Sequence, residues 1–169
     1  MSRPDEQRVG IGVDVHRFLA EAIEGRPLVL GGVAFPEQPG LEGHSDADVV
    51  AHAVADAILG AAGLGDLGAH FPDTDARFSG ADSLELLATV AARVADAGWR
   101  LVNADCTLVG ERPRVVAQRD AMVARLSAAA GGPVHVKATR PERLGSLGRV
   151  EGLACFAVAL VARGPVGDR

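Results

Sequence analysis

Apolar and polar residues alternate from Val9 to His16, the period of a strand with one covered face. Leu28 to Phe35 is a second strand-like run, broken at Gly31-Gly32, and the polar stretch Glu21 to Pro27 before it reads as a turn. From Asp46 to Ala62 the period becomes helical, with Val49, Val50, Ala53, Ala57 and then Leu64 on one broad side. Ser45 or Asp46 is the expected N-cap and Gly63 the expected stop. Gly65 to Ala81, rich in Gly, Asp, Pro and Thr, predicts a long loop. Asp82 to Ala97 predicts a second helix, with Leu84, Leu87, Val90, Ala91 and Val94 inward and Gly98 at its end. Trp99 to Val109 reads as a strand, and Pro113 opens a third helix reaching Ala130, since proline suits a first turn. Val134 to Thr139 and Gly152 to Ala162 are further strands, and Gly164 to Arg169 a frayed tail. Strands alternate with helices, so the class is α/β. No composition shift or repeat divides the chain, which predicts one domain over residues 1–169 with its core at about 8–162.

With 48% hydrophobic residues in 169, the chain can bury a real core. Aromatics are only 4% and Tyr is absent, so that core rests on Ala, Val and Leu, which allow close packing of helix on sheet. The net charge of −5 argues against a general nucleic-acid binder, which needs a basic face. It leaves room for a small phosphorylated substrate. Cys106 and Cys155 lie in apolar strand-like runs and read as buried reduced thiols. The charged N-terminus lacks an apolar signal core, and the longest apolar run, Gly152 to Ala162, is too short to span a bilayer. The expectation is a cytoplasmic protein with no membrane partner.

Candidate chemistry starts at Asp14-Val15-His16. Residues two apart on a strand share a face, so Asp14 and His16 point together and offer ligand atoms for Zn²⁺ or a similar ion. Taken alone, the pair reads first as a surface Asp and a His capping a strand end. His52, in an apolar helical stretch, is either a satisfied core residue or a third protein ligand that leaves a fourth position open. Asp48, one turn before it, would either orient His52 or favour the helix N-terminus by its charge. Asp66-Leu67-Gly68 and Phe71-Pro72-Asp73-Thr74-Asp75 supply carboxylates that could accept from sugar hydroxyls, or form ordinary turns.

Together these motifs resemble the 2-C-methyl-D-erythritol 2,4-cyclodiphosphate synthase family, from Arg8 to Val161. The resemblance rests on Arg8 to His16, Gly43 to His52, Gly65 to Gly68, Phe71 to Asp75 and Gly80 to Ser83. It continues at Asn103 to Asp105, Val136 to Thr139, Gly148-Arg149 and Glu151-Gly152. It implies metal-dependent cyclisation of 4-CDP-2-C-methyl-D-erythritol 2-phosphate, with release of CMP, in non-mevalonate isoprenoid biosynthesis. It also implies a mixed sheet covered by helices on one side, with sheets packing around a threefold axis in a homotrimer. Asp14, His16 and His52 match zinc ligands, and Glu142 matches the ligand of a Mg²⁺ or Mn²⁺ ion at the diphosphate. His44 and Ser45 match phosphate contacts, and a place at a helix N-terminus suits that role. His44 also matches a residue that stabilises the transition state.

Asp66 and Gly68, with Leu67 between, match the ribose site, and Phe71, Pro72, Asp73, Thr74 and Asp75 a mobile substrate loop. Gly110, Glu111, Arg112, Pro113, Arg114, Val115 and Val116 match the segment that holds cytosine through backbone groups. Ser146 and Arg149 match positions near the trimer axis, where some members hold an isoprenoid diphosphate. For Arg149 and Glu151 a plain ion pair between subunits is the other reading. The segment Thr139-Arg140-Pro141-Glu142 departs from the family, which has three threonines there, the second stabilising the transition state. Thr139 is kept and Arg140 takes the second place. Ser146 stands where a bulky apolar residue is common. A zinc-dependent phosphoesterase acting on a nucleotide diphosphate and a non-catalytic metal- and nucleotide-binding trimer are the alternative functions. His70 and His135 lack motifs and read as structural or solvent-facing.

Overall fold

Strand β1 (Gln7–Arg17) pairs antiparallel with β6 (Gly152–Arg163), β6 pairs antiparallel with β4 (Trp99–Val109), and β4 runs parallel to β5 (Val134–Thr139). The computed structural model describes residues 6–163, so the expected tail at 164–169 lies outside the described residues. The sheet order is β1-β6-β4-β5. The run read as one interrupted strand is instead a hairpin of β2 (Pro27–Leu30) and β3 (Val33–Pro39), which forms its own two-stranded sheet. Gly31 and Gly32 make its turn at positive φ, where glycine is favoured.

Helices α1 (Val49–Ala62), α3 (Ser83–Asp96) and α4 (Arg119–Ala130) cover one face of the large sheet, α1 lying on β1 and β6. α1 is buried nearly all round, because α3 covers it on the side away from the sheet. A glycine–alanine seam lets it approach β1. A Cβ on Gly10 would overlap the backbone of Ala57 and Ala61, and one on Gly12 the backbone of Ala53 and Ala57. Those alanines are spaced four apart on one face of α1. In α3 the buried apolar positions are Leu86, Leu87, Val90 and Val94, with Leu84 packed at the margin, and Ser83 is buried beside them. Cys106 and Cys155 are buried free thiols.

Three boundaries differ from expectation. The N-cap of α1 is Asp48, not Ser45 or Asp46: its carboxylate accepts from Val50 N and Ala51 N, after Ala47 turns the chain at φ 57. The third helix starts at Arg119 rather than Pro113. A cis Arg112–Pro113 bond precedes it, Val115 turns into the core, and a turn closes from Gln118 N to Val115 O before the helix begins. The expected long loop holds a short helix α2 (Leu67–His70), capped by Asp66, and one 3₁₀ turn (Ala76–Phe78), capped by Asp75. A further short helix, α5 (Gly145–Gly148), precedes β6. Among the described residues no helix is long and apolar enough to cross a membrane.

The second face of the sheet is open. Val9, Ile11, Val13 and Val15 of β1 and Phe156 and Val158 of β6 are 46–68% exposed there. This apolar strip exceeds the scattered exposed residues usual on a monomer.

Candidate metal site and cleft

The alternation of β1 that turns Val13 and Val15 outward turns Asp14 and His16 toward α1, on the same side as Gly10 and Gly12. The close seam brings His52, one turn into α1, to the same point. Asp14 Oδ2 lies 3.1 Å from His16 Nε2 and 3.0 Å from His52 Nδ1. One ligand atom from each residue falls within 4.8 Å of the others. His16 Nδ1 lies 2.5 Å from the Glu42 carbonyl oxygen. A carbonyl only accepts, so Nδ1 carries the proton and Nε2 presents its lone pair to the cluster. His52 turns its other nitrogen to Ser83 Oγ at 2.8 Å and Ser45 Oγ at 3.2 Å.

Two nitrogens and one carboxylate oxygen are the donor set of a catalytic zinc site with an open fourth position. The electrostatics agree. Burial alone would raise the Asp14 pKa, but the two imidazoles beside it, which can donate to it when protonated, outweigh burial and hold the carboxyl below the usual range. Burial likewise opposes charge on His16, yet the Asp14 carboxylate and the Glu42 carbonyl leave its pKa raised. A centre of negative potential thus faces the space between the ligands.

The ligands open into a cleft of about 260 Å³ lined by His16, Gly43, His44, Ser45, His52, Leu67, Phe71, Asp73, Phe78 and Leu86. Phe71 meets Phe78 edge-on at 5.2 Å, and Arg93 lies over the Phe71 ring at 5.0 Å. His44 Nε2 donates to the Asp75 carbonyl at 3.0 Å, joining the segment before α1 to the loop. The Asp75 carboxyl, drawn down to about 2 by its hydrogen bonds with Arg77, is committed to that residue. Asp66 accepts from Ala69 N at 2.8 Å, and Leu67 N donates to Asp56 at 2.6 Å, so Leu67 and Gly68 are fixed at the rim.

Other expectations change. His44 and Ser45 do not sit on the N-terminus of α1; the Val50 and Ala51 N–H groups there are taken by Asp48. Asp48 does not orient His52. It is fully buried and also accepts from Gly31 N and Gly32 N at 2.9 and 2.8 Å. Burial pushes its carboxyl up to about 6 against the pull of these donors. His70 is structural: Nε2 donates to the Leu64 carbonyl at 2.7 Å, and Arg93 reaches Nδ1 at 2.5 Å. His135 is exposed.

Thr139, Arg140, Glu142 and the segment Gly110 to Val116 lie elsewhere. Asp14 pairs with Cys155, Cys155 with Leu108 and Leu108 with Ala138, one row across the sheet. Three strand spacings, roughly 14 Å, therefore separate the Asp14 row position from β5. Gly110 N donates to the Thr139 carbonyl at 3.2 Å, and Glu111 accepts from Arg143 N at 2.6 Å, so these segments form a second cluster. Glu142 and Arg143 are held there at φ 53 and 63, a strained conformation for side-chain-bearing residues. Thr139, Arg140 and Glu142 are exposed. Ser146 borders a hollow with Val15, Leu147 and Glu151, and Arg149 Nε donates to Glu151 at 2.7 Å on the exposed surface. Sequence reasoning missed Phe78 and Leu86 in the cleft wall and gave no role to Ser83, whose signal lay only in the Gly80-Ala-Asp-Ser83 motif.

A helix-backed mixed sheet carrying three residues able to hold a metal ion, beside an open cleft, defines an α/β protein with a candidate metal centre. Comparison with known proteins narrows the class. Residues 7–162 match the YgbB family, and the chain belongs to it. It is 54% identical over 159 residues to the 2-C-methyl-D-erythritol 2,4-cyclodiphosphate synthase of Geobacillus kaustophilus, covering 92% of this chain and 98% of the relative. It is 57% identical to part of a bifunctional IspD/IspF enzyme of Anaeromyxobacter, covering 92% of this chain and 40% of that protein. The fold matches the bifunctional IspDF of Campylobacter jejuni, with TM-score 0.87 and 40% identity over 95% of this chain and 43% of that one. It also matches a CDP-bound 2C-methyl-D-erythritol-2,4-cyclodiphosphate synthase, with TM-score 0.79 and 36% identity over 91% of this chain and 99% of the other.

Proposed function

We propose that this chain is a cyclodiphosphate synthase, converting 4-CDP-2-C-methyl-D-erythritol 2-phosphate to 2-C-methyl-D-erythritol 2,4-cyclodiphosphate and CMP. By reaction class it is a phosphorus–oxygen lyase. The observation that carries the reading is the Asp14–His16–His52 cluster at the cleft, in a chain over half identical to such synthases along nearly its whole length. In the reaction an oxygen of the 2-phosphate attacks the β-phosphorus, a new P–O bond closes the ring, and the bond to CMP breaks. No enzyme nucleophile is required; the protein folds the substrate, aligns the attack and offsets charge.

Zn²⁺ or a similar ion, held by Asp14 Oδ2, His16 Nε2 and His52 Nδ1, and Mg²⁺ or Mn²⁺ at Glu142 would supply Lewis-acid stabilisation of the phosphates. His44 and Ser45 contact the phosphates from the cleft wall. Asp66, Leu67 and Gly68 receive the ribose at the rim, and Phe71 to Asp75 cover the substrate. Gly110 to Val116 hold the cytosine. Thr139 stabilises the transition state, and Arg140 stands in for the family's second threonine with a permanent charge and a forked donor.

The Asp14 cluster and Glu142 lie at opposite sheet edges, too far apart for ions on neighbouring phosphates of one substrate, which supports a homotrimer in which neighbours combine them. The open strip of Val9 to Val15, Phe156 and Val158 is the surface such packing would cover. Arg149 then lies near the axis, its terminal guanidinium nitrogens available to an isoprenoid diphosphate, with Ser146 beside it. The chain acts as one domain. A cytoplasmic location agrees with a multiply charged substrate that cannot cross a bilayer unaided and is retained where it is made.

Incubation with the CDP-linked substrate, following CMP and the cyclic product by mass spectrometry, tests the reading. An open-chain phosphate product would replace it with phosphoesterase activity. Metal and nucleotide binding without turnover would replace it with a binding role.

A further inference from the structure

We infer that Asp46 and Ser83, neither of which reaches the cluster, are positioning residues that fix the proton of His52 so that its Nδ1 is a ligand. The inference deepens the proposed metal site and rests on that reading for its affinity arm.

Asp46 Oδ2 accepts the Ser83 backbone N–H at 3.1 Å, and Oδ1 accepts the Asp48 N–H at 3.2 Å. Oδ1 also takes the Ser83 hydroxyl in a short contact. A serine hydroxyl has one proton, and here it is spent on Asp46. Toward His52 the Ser83 oxygen can then only accept. His52 Nε2, 2.8 Å away, must carry the N–H, and the neutral ring is left with its lone pair on Nδ1. That nitrogen faces Asp14 Oδ2 at 3.0 Å. With Nε2 of His16, three lone pairs converge on one point, an arrangement that repels itself until a cation occupies it. Ser83 is 1% exposed, so water does not compete for the His52 proton there. Ser45 Oγ accepts from Ala47 N at 3.1 Å and stands 3.2 Å from Nε2, a longer and secondary acceptor.

The relay joins three elements: the segment before α1, the start of α3 and the ligand on α1. Asp46 lacks the capping role its position suggested because its carboxylate is spent on α3. Partners of this kind typically change metal affinity by about 10–100-fold when removed.

The test uses the full chain with ¹⁵N-labelled histidine. In metal-free wild type at pH 8 the His52 ring is expected as the Nε2–H form. Ser83→Ala should shift it toward a mixture of both forms and weaken zinc binding, measured against a competing chelator, by about tenfold, the low end because Ser45 remains. Asp46→Ala, which removes both acceptor oxygens, should do the same. Ser83→Thr, which keeps the hydroxyl, should restore both the ring form and the affinity. Excess zinc should return turnover in Ser83→Ala. If the ring form and zinc affinity are unchanged in both Ser83→Ala and Asp46→Ala, or if Ser83→Thr is as weak as Ser83→Ala, the inference is overturned, even where melting temperatures fall. Absence of zinc binding in wild type would overturn the proposed metal site instead, and the ring form in metal-free protein would still decide the relay.

Discussion

Gly12→Ala should damage the metal site without touching a ligand. The new methyl group would stand 2.7 Å from Ala57 N and 2.9 Å from the carbonyl carbon of Ala53, and closer still to the Ala53 oxygen. Ordinary contact starts near 3.4 Å, so clearing Ala57 N alone moves α1 away from β1 by 3.4 − 2.7 = 0.7 Å. The obstacles are backbone atoms of a helix interior, so no side chain can rotate to make room. Overpacking of this kind costs about 1–3 kcal/mol, a fall in Tm of roughly 2–12 °C for a chain of this size. The same displacement separates His52 from Asp14 by several times the ~0.2 Å tolerance of metal–ligand distances. Zinc affinity should therefore fall by at least about tenfold, comparable to loss of an outer hydrogen-bond partner. Calorimetry and chelator competition measure the two effects. Gly60→Ala is the control: its methyl would meet only the Ile11 carbonyl, at 3.9 Å, and should raise stability by about 0.5–1 kcal/mol as glycine leaves a helix interior. Wild-type Tm and zinc affinity in Gly12→Ala would refute the seam as the device that sets the ligand spacing.

His52→Ala should abolish stoichiometric zinc and turnover together, and retained zinc by elemental analysis would remove His52 from the ligand set. Asp66→Ala should raise KM with kcat nearly kept, because ribose contacts are common to ground and transition states; a large fall in kcat at constant KM contradicts that role. Ile11→Glu, on the open face where Ile11 is 68% exposed, should leave a folded chain that sediments as a monomer and has lost turnover; an active trimer would show that another surface associates. The His16 pKa is raised above its ordinary 6.5, so its contribution to the metal-free protein is fully present below 6.5 and is lost as pH rises through the folded value. Metal-free protein should lose Tm above pH 6.5, and zinc-loaded protein should not show this loss.

The strands of the large sheet and the three long helices were legible because each depends on local period. Alternation in β1 put Asp14 and His16 on one face, but that they and His52 act as one ligand set was implied only by the family resemblance. What was not legible depends on where elements meet. Asp48 and Asp46 are equally plausible caps in a linear string, and only the hairpin above one and α3 beside the other assign them. Pro113 reads as a helix opener until Val115 is seen to turn into the core. Ser83 carries no chemistry by itself. Its role exists because α3 brings it to the back of the His52 ring. The separation of Glu142 from the triad follows from sheet order, which no periodicity encodes.

The Asp48 carboxylate gathers four backbone amides, from Gly31 and Gly32 in the hairpin turn and Val50 and Ala51 at the start of α1. Those amides are donors to one buried acceptor, so opening of either group removes part of its hydrogen bonding, and loss of the Gly32 N–H leaves Oδ2 with no donor. Fraying of the first turn of α1 and detachment of the hairpin are thereby energetically coupled. His52 sits a single turn further along the same helix. The hairpin, none of whose residues is a ligand, thus steadies the turn that carries His52, and its sequence is a means of tuning residence at the metal position without altering any group that touches it.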